Sequence, residues 1–287
     1  MAIDLRPLTP VFGAEIAGVD LTRPLDATAW RFIEDAFETH SVLVFRDQPF
    51  DDARQIAFSR RFGDLETTVA SAANAAPTAV AVISNIGADG ALLPVDSKKM
   101  KFHAGNEMWH SDSSFKRIPA KASLLSGREI PPVDGDTEFA SLRAACDALP
   151  AARVAELSKL VAVHSYVYSR GLIDPNLFTP EQAAQVPPVR HAVVRTNPRN
   201  GGRSLYLGSH ASHIEGMPVE EGRALLKELL DFATGPAFTY RHRWRRNDLV
   251  IWDNRATMHR ACGWDATRHR RTMHRTTVAG DRPTVAD

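Results

Sequence analysis

The chain has 287 residues, 44% of them apolar and 24% charged, which is typical of a globular protein with a large core rather than of a disordered or fibrous chain. Thirty-five Lys and Arg residues against 34 Asp and Glu residues leave a formal charge of +1, so we expect no nucleic-acid partner. The apolar runs are too short for a bilayer span, and the two cysteines, Cys146 and Cys262, are too few for a disulfide framework or a cysteine-bound zinc. We therefore expect a cytoplasmic protein with no membrane partner.

The first elements predicted along the chain are two helices on either side of a strand. Apolar residues recur at helical spacing over 26–40 and again over 51–62, and the apolar run 41–45 between them predicts a buried strand. A later helix is predicted over 219–233, because Pro218 opens it, acidic residues follow, and leucines form a stripe along one face.

Strand-like segments dominate from about residue 120 onward. Short strands are predicted at 121–126, 137–140, 161–168, 192–196, 204–207, 237–244, 249–252 and 272–278. Few helical segments separate consecutive strands, which disfavours a doubly wound parallel sheet. We therefore predict an α+β fold in which helices flank a jelly-roll core.

No internal repeat or low-complexity tract interrupts the chain, so we interpret residues 1–287 as a single domain. Two long segments, at about 86–107 and 169–189, match no regular element and carry Gly, Pro or Asp. We expect both to be mobile loops over a functional site.

His110 and Asp112 form the sharpest local feature. In an extended segment, side chains two residues apart point the same way, so both could bind one metal ion, although a polar turn explains the pair equally well. The strongest third candidate is His259, which follows the apolar segment 249–252 and its polar turn, unless it only caps a strand end. Two histidines and one carboxylate are the facial triad of non-haem Fe(II) oxygenases, in which further coordination positions stay open for substrate and dioxygen.

A rival cluster combines His210, His213 and Glu215. No regular geometry brings all three side chains together, so we interpret these histidines as structural or as neighbours of a ligand set rather than as ligands. The pair Gly201-Gly202 predicts a hairpin turn rather than a phosphate loop. Because no GxSxG, P-loop or HExxH motif is present, a serine hydrolase stays possible only in principle, with no serine marked.

Three arginines follow the third candidate ligand: Arg270, Arg271 and Arg275. Arg271 and Arg275 are four residues apart, so in a strand they share a face and could present two guanidinium groups to the same cavity. A guanidinium group binds a planar carboxylate in bidentate fashion, as the distal carboxylate of a dicarboxylic keto acid requires. Taken alone, each arginine could equally be a surface residue without a role.

The motifs taken together resemble those of a known family. They are WHSD at 109–112, GDTEF at 135–139, WDNR at 252–255 with His259, and RTMHR at 271–275 followed by Gly280-Asp281. Their order and spacing are similar, over almost the whole chain, to those of the taurine/2,4-dichlorophenoxyacetate dioxygenases, which depend on Fe(II) and 2-oxoglutarate. Stretches such as 110–115 and 240–244 resemble the phenoxyacetate branch more than the taurine branch.

The resemblance implies a double-stranded β-helix, the cupin-like form of a jelly roll, with His110, Asp112 and His259 as ligands of Fe(II). It also implies that Thr137 and Arg271 hold the distal carboxylate of 2-oxoglutarate. The Arg-x-x-x-Arg spacing favours residue 271 over residue 270 for that role.

By the same resemblance, Arg275 meets the anionic group of a small carboxylate substrate, and Asn106 belongs to its pocket. The implied reaction is herbicide degradation: an aryloxyalkanoate such as 2,4-dichlorophenoxyacetate is cleaved with O2 and 2-oxoglutarate to a phenol and glyoxylate, with succinate and CO2. Oxidation of an alkylsulfonate such as taurine and a non-catalytic, cupin-like binding protein remain the alternatives. We also expect a homo-oligomer.

Overall fold

The structure, a computed structural model, describes residues 3–69 and 77–285. Its strands are β1 (Asp4–Pro7), β2 (Ala14–Ala17), β3 (Val42–Phe45), β4 (Val80–Ser84), β5 (Ala122–Glu129), β6 (Thr137–Ser141), β7 (Val161–His164), β8 (Val189–Ala192), β9 (Val194–Thr196), β10 (Arg203–Leu205), β11 (Ala211–Ile214), β12 (Thr239–His242), β13 (Leu249–Asp253), β14 (Thr257–Ala261) and β15 (Thr272–Val278). Its α-helices are α1 (Ala27–His40), α2 (Asp52–Ser59), α3 (Lys98–Ala104), α4 (Leu142–Ala148), α5 (Ala151–Leu157), α6 (Tyr166–Gly171), α7 (Pro180–Ala184) and α8 (Val219–Ala233), and short 3-10 helices cover Gly105–Glu107 and Pro236–Phe238.

A seven-stranded sheet forms the larger layer, with the strand order β1-β2-β3-β13-β5-β15-β4. Its neighbouring strands are antiparallel except β2 and β3, which are parallel. A smaller sheet, in the order β12-β6-β14, is antiparallel throughout. The observed architecture is thus mixed α and β with mainly antiparallel strands.

The residues of β13 alternate between two apolar clusters, because successive side chains of a strand point to opposite faces. Leu249 and Ile251 face a cluster that includes residues of α1 and α2. Val250 and Trp252 face the smaller sheet, where the Trp252 ring lies 5.5 Å from that of Phe139. Strand β13 is therefore buried on both faces, which explains its uninterrupted apolar sequence.

Side chains at the helix starts explain why two predicted helices form where expected. The carboxylate of Asp26 accepts a hydrogen bond from the backbone N–H of Ala29 at the start of α1, and Asp51 does the same for Arg54 in α2. Helix α1 ends as predicted and α8 has the predicted bounds, whereas α2 ends at Ser59 rather than at residue 62.

Several short elements correct the sequence-based assignment. The strand predicted over 161–168 ends at His164, and α6 follows it. The segments predicted as loops contain α3 and α7. In the part of the chain that the structure describes, no helix is both long and apolar enough to cross a bilayer.

Candidate active site

Two histidines that are far apart in the chain meet through their backbones at the edge of the smaller sheet. The N–H of His110 donates to the carbonyl of His259 at 3.0 Å, and the N–H of His259 donates back at 2.8 Å. Their ring centroids lie 4.2 Å apart. His259 lies within β14, opposite Phe139 of β6, rather than in a loop beyond a strand end, so a paired strand fixes its position.

Asp112 completes a compact donor set with the two histidines. One carboxylate oxygen lies 3.9 Å from Nε2 of His110, and the other lies 3.8 Å from Nε2 of His259. Potential ligand atoms of the three residues all lie within 4.8 Å of one another, and all three residues are buried. Within residues 3–69 and 77–285, this is the one group of His, Cys, Asp and Glu residues with such spacing.

The hydrogen bonds around this set leave the Nε2 atoms of its two histidines free to bind a metal. Nδ1 of His110 donates to the carbonyl of Met108 at 2.7 Å, so the lone pair of that ring lies on Nε2, which is the atom near Asp112. The Asp112 carboxylate accepts from the hydroxyl of Ser123 at 2.7 Å, and its backbone N–H donates to the side chain of Asn254 at 3.0 Å. These contacts orient the carboxylate.

Arg275 also contacts Asp112, through a hydrogen bond from its Nη1 to Oδ1, the carboxylate oxygen near His110. Burial raises the pKa of Asp112, but Arg275 and the two neighbouring histidines outweigh it and bring the pKa to about 2. Burial lowers the pKa of His110 to about 4 and that of His259 well below its usual value. Near neutral pH the site thus holds one carboxylate and two neutral imidazoles, the protonation states that metal binding requires.

Arg271 lies apart from this contact, although it is also buried. Its Nε donates to the carbonyl of Gly135 at 3.1 Å, its guanidinium group lies 5.2 Å from the Trp264 ring, and burial lowers its pKa to about 10. Gly135 leads into β6, where the hydroxyl of Thr137 accepts a hydrogen bond from Trp244 at 2.9 Å.

The expectation that Arg271 and Arg275 face one cavity is not met. Arg275 lines the cavity beside the donor set, whereas Arg271 precedes the first residue of β15 and is not among the described lining residues. Arg270 is half exposed and bonds Glu129 at 2.7 Å, which agrees with the preference for residue 271 as the buried arginine.

A cavity that opens to solvent lies beside the donor set. Its wall includes His110, Asp112 and Arg275, and an aromatic side formed by Phe115 and Tyr166, whose rings stack at 3.8 Å. The cavity is therefore shaped by both charged and aromatic groups.

The rival histidines fall into different places. His210 is buried in the cavity wall, with its ring 6.1 Å from that of His110 and its Nδ1 2.8 Å from the hydroxyl of Ser169. His213 lies in β11 and contacts the hydroxyl of Ser212 at 2.9 Å. His210 is thus a neighbour of the donor set, as the sequence suggested.

Sequence reasoning missed three charged residues of the cavity wall, which are Glu66, Lys116 and Arg170. Glu66 accepts hydrogen bonds from Ser113 at 2.6 Å and from Lys116 at 2.7 Å. Arg170 donates to Asn106 at 3.0 Å, which places the predicted pocket asparagine just behind the wall. The nearby motif HSDS could have pointed to Ser113 and Lys116, but no local signal marks Glu66 or Arg170, which come from distant segments.

Known proteins are similar to this chain over all or nearly all of its length. A 2,4-dichlorophenoxyacetate dioxygenase of Cupriavidus pinatubonensis, described as alpha-ketoglutarate-dependent, is 42% identical over 97% of this chain and 98% of its own. A (S)-phenoxypropionate/alpha-ketoglutarate-dioxygenase of Sphingobium herbicidovorans is 37% identical over 98% and 96%. The solved structure of AAD-2 in complex with Mn(II) and N-oxalylglycine matches with a TM-score of 0.91 and 44% identity, and the match covers 100% of both chains. Residues 4–277 match the family of the taurine catabolism dioxygenase TauD, TfdA family, and the chain belongs to that family.

Proposed function

We propose that the protein is an Fe(II)- and 2-oxoglutarate-dependent dioxygenase that cleaves an aryloxyalkanoate to a phenol and glyoxylate, with release of succinate and CO2. The observation that carries this proposal is the buried set of His110, Asp112 and His259, in which the Nε2 atoms of both histidines lie near the Asp112 carboxylate and are free to bind a metal. The relatives named for the same chemistry on phenoxy acids support the substrate class.

The donor set fits Fe(II) by its chemistry. Two neutral imidazoles and one carboxylate are the ligands of the facial triad, whereas four sulfur or nitrogen ligands would indicate structural zinc. His110, Asp112 and His259 would hold the iron, and Ser123 and Asn254 keep the carboxylate in place. Iron bound there with the co-substrate would supply the oxidising power for removal of hydrogen from the carbon beside the ether oxygen.

We assign the distal carboxylate of 2-oxoglutarate to Arg271 and Thr137. Arg271 is buried with one hydrogen bond to a neutral carbonyl, and a carboxylate is a stronger partner for a guanidinium group. Thr137 lies opposite Ala261, two positions beyond His259 on β14, so the same pair of strands carries the metal ligand and the hydroxyl group.

The cavity wall supplies orientation and excludes water while the substrate reacts. The stacked rings of Phe115 and Tyr166 offer an apolar surface to an aryl group, and Arg275 offers positive charge to its carboxylate. Once the carbon beside the ether oxygen is hydroxylated, the resulting hemiacetal collapses to the phenol and glyoxylate without further help from the metal.

The remaining architecture is proposed on the same basis. The larger sheet facing β12-β6-β14 supports a double-stranded β-helix within a single domain. The ring of Phe102, from the segment 86–107, lies 5.9 Å from that of the cavity residue Tyr166, so this segment borders the cavity. We propose that it and the segment 169–189 move with substrate entry.

Specificity constants for phenoxyacetate, a chlorinated phenoxyacetate, the methyl ester and taurine test the function. We expect the two acids to yield succinate and a phenol in equal amounts. The ester and taurine should be poor substrates, because the ester lacks the negative charge and taurine lacks the aryl group that the cavity wall would contact. A strong preference for taurine would show that the substrate is an alkylsulfonate instead. If none of the substrates led to succinate, the protein would be a non-catalytic binding protein.

A further inference from the structure

Thr137 lies at the start of β6, the central strand of the smaller sheet. Its backbone is paired with His242 of β12 on one side and with Ala261 of β14 on the other. The residue is 3% exposed, and its β-branched side chain leaves few rotamers open. The hydroxyl hydrogen is therefore the part of this side chain that keeps rotational freedom.

The indole group of Trp244 lies against this hydroxyl group. Its Nε1–H donates to Oγ1 of Thr137 at 2.9 Å, and an indole nitrogen cannot accept a hydrogen bond in return. Trp244 is buried in the apolar cluster that contains Val250 and Phe139. The ring of His242 meets the indole edge to face, with the ring centroids 4.5 Å apart. Packing thus holds the indole N–H in place.

The contact with Trp244 decides how the Thr137 hydroxyl group can be used. A hydroxyl group has one hydrogen to donate and two lone pairs that accept. The indole N–H occupies a lone pair, and within residues 3–69 and 77–285 no group accepts the hydroxyl hydrogen. That hydrogen points away from the indole, so it is available to an acceptor that enters from the other side.

A second donor comes from a neighbouring position of the chain. Gly135 lies two residues before Thr137, and its carbonyl accepts a hydrogen bond from Nε of Arg271 at 3.1 Å. The Arg271 side chain packs closely there, since a Cβ atom on Gly135 would lie 3.2 Å from Nε. A carboxylate accepts from both a guanidinium group and a hydroxyl group, whereas a methyl group accepts from neither. The hydrogen that Trp244 leaves for donation therefore fits a ligand with a terminal carboxylate.

We propose that Trp244 is a positioning residue for the co-substrate: its indole N–H commits the Thr137 hydroxyl group to donating, so that the hydroxyl hydrogen meets the distal carboxylate of 2-oxoglutarate. The inference rests on the proposed function, which assigns that carboxylate to Thr137 and Arg271. Trp244 acts through Thr137 and needs no contact of its own with the co-substrate. Its effect is confined to keto acids with a second carboxylate, because only that group uses the committed hydrogen.

The test measures binding without turnover, by calorimetry on protein loaded with Mn(II) in the absence of O2. It compares 2-oxoglutarate with 2-oxovalerate, which has the same chain length and a methyl group in place of the distal carboxylate. Trp244→Phe removes the N–H and keeps an aromatic ring. We expect the affinity of this variant for 2-oxoglutarate to fall roughly tenfold and its affinity for 2-oxovalerate to stay nearly unchanged.

A double-mutant cycle shows whether Trp244 acts through the hydroxyl group. Thr137→Val removes the hydroxyl group and keeps the branched shape, so this variant alone should bind 2-oxoglutarate more weakly. In the Thr137→Val background, Trp244→Phe should add little to the loss, because no hydroxyl group is left to orient. In the Thr137→Ser background, which keeps a hydroxyl group, Trp244→Phe should still weaken the binding of 2-oxoglutarate.

Trp30→Phe is the control for the loss of an indole group from a packed cluster. The Trp30 ring lies 4.9 Å from that of Phe62, in the apolar cluster on the other face of the larger sheet. This variant should keep the wild-type affinities for both keto acids.

A measurement that leaves Trp244 in place covers the case in which Trp244→Phe does not fold. In protein loaded with Zn(II) and labelled with the heavy nitrogen isotope in its tryptophans, the indole N–H signal of Trp244 is identified as the one that Thr137→Val shifts most. Donation by the Thr137 hydroxyl group to a carboxylate makes its oxygen a better acceptor, because linked hydrogen bonds strengthen one another. We therefore expect 2-oxoglutarate, and not 2-oxovalerate, to move this signal of the wild-type protein downfield.

Each outcome decides the proposal. A wild-type affinity for 2-oxoglutarate in Trp244→Phe, or an indole signal that responds equally to the two keto acids, overturns the role of Trp244 while the proposed function stands. Equal losses of affinity for the two keto acids show a packing role only and overturn it as well. A wild-type protein that binds 2-oxoglutarate no more tightly than 2-oxovalerate would instead contradict the proposed dependence on 2-oxoglutarate, and this inference with it.

Discussion

At the level of single residues, the donor set makes a sharp prediction. Replacing His259 with alanine should abolish succinate formation and lower the bound metal to a small fraction of one equivalent, because two ligands hold Fe(II) far more weakly than three. His213→Ala is the matched control, since this histidine contacts only Ser212 among the described side chains. Metal analysis after desalting measures the bound metal of both variants, and circular dichroism shows whether both are folded. Full metal content in His259→Ala, with loss in His213→Ala, would contradict the assignment.

The keto-acid site makes a second residue-level prediction. Arg271→Ala should raise the apparent constant for 2-oxoglutarate by roughly thirty-fold or more, because a buried charge-assisted bidentate contact is worth on the order of 2 to 4 kcal/mol. Arg270→Ala is the control, since Arg270 is half exposed and bonds Glu129 instead. Steady-state kinetics with each substrate varied in turn gives the answer. If only the apparent constant for the prime substrate changed, Arg271 would bind the prime substrate rather than 2-oxoglutarate.

Which site residues could be predicted depends on how local their signal is. His110, Asp112 and His259 stand within short motifs whose order marks them, and the structure brings them together. Arg170 stands in no motif. It lines the cavity because the chain forms helix α6 directly after β7, where the sequence predicts a continuing strand. The separation of Arg271 from Arg275 follows from where β15 begins, at Thr272, which spacing along the chain does not reveal.

At the level of elements, Gly208 lies in the loop between β10 and β11 and packs against the backbone of Trp109 and His110. It has a φ of 124°, and a Cβ atom there would lie 3.0 Å from the carbonyl oxygen of Trp109 and 3.2 Å from Cα of His110. Gly208→Ala should therefore shift His110 and lower metal affinity. Gly201→Ala is the control, because Gly201 has a φ of 74° but open space around it.

Both glycine variants should lose about 1 kcal/mol of unfolding free energy through backbone strain. Only Gly208→Ala should also require a higher Fe(II) concentration for half-maximal activity, as a metal titration would show. Equal metal titrations for the two variants would mean that strand packing around His110 tolerates the methyl group.

Element length separates the correct from the incorrect secondary-structure predictions. Helices α1 and α8 span enough turns for their apolar stripe to be visible, and both were predicted. Helices α3 to α7 have five to seven residues, so they show less than two full turns of any pattern and their stability comes from packing. The split between β8 and β9 likewise follows from tertiary pairing with different partners.

For the whole molecule, a buried histidine predicts how stability depends on pH. His191 is fully buried, with Nε2 3.1 Å from the carbonyl of Lys116 and Nδ1 2.8 Å from the hydroxyl of Thr284, and burial lowers its pKa to about 4. The unfolded chain, with an ordinary histidine pKa near 6.5, binds a proton that the folded chain does not, so stability falls as the pH drops from about 6.5 towards 4.

His191 alone should remove about 1.4 kcal/mol of unfolding free energy between about pH 7.5 and 5.5. In His191→Gln the loss over that range should shrink by this amount, whatever the variant does to stability at pH 7.5. Urea titrations at the two pH values measure it, with His213→Gln as the control at a partly exposed position. An unchanged pH dependence would show that His191 is protonated in the folded state.

The same purified protein, run on a sizing column with light scattering, tests the expected homo-oligomer.

The position of β15 has a consequence for how the molecule is made. This strand is the last in the sequence, yet it lies inside the larger sheet, between β5 and β4. While a ribosome is still adding residues before Thr272, β4 has no partner and one edge of β5 is open, so both expose backbone groups that invite pairing with other chains. The sheet closes, and Arg275 reaches Asp112, only when β15 has emerged. Premature termination therefore yields an aggregation-prone fragment rather than a weakened enzyme.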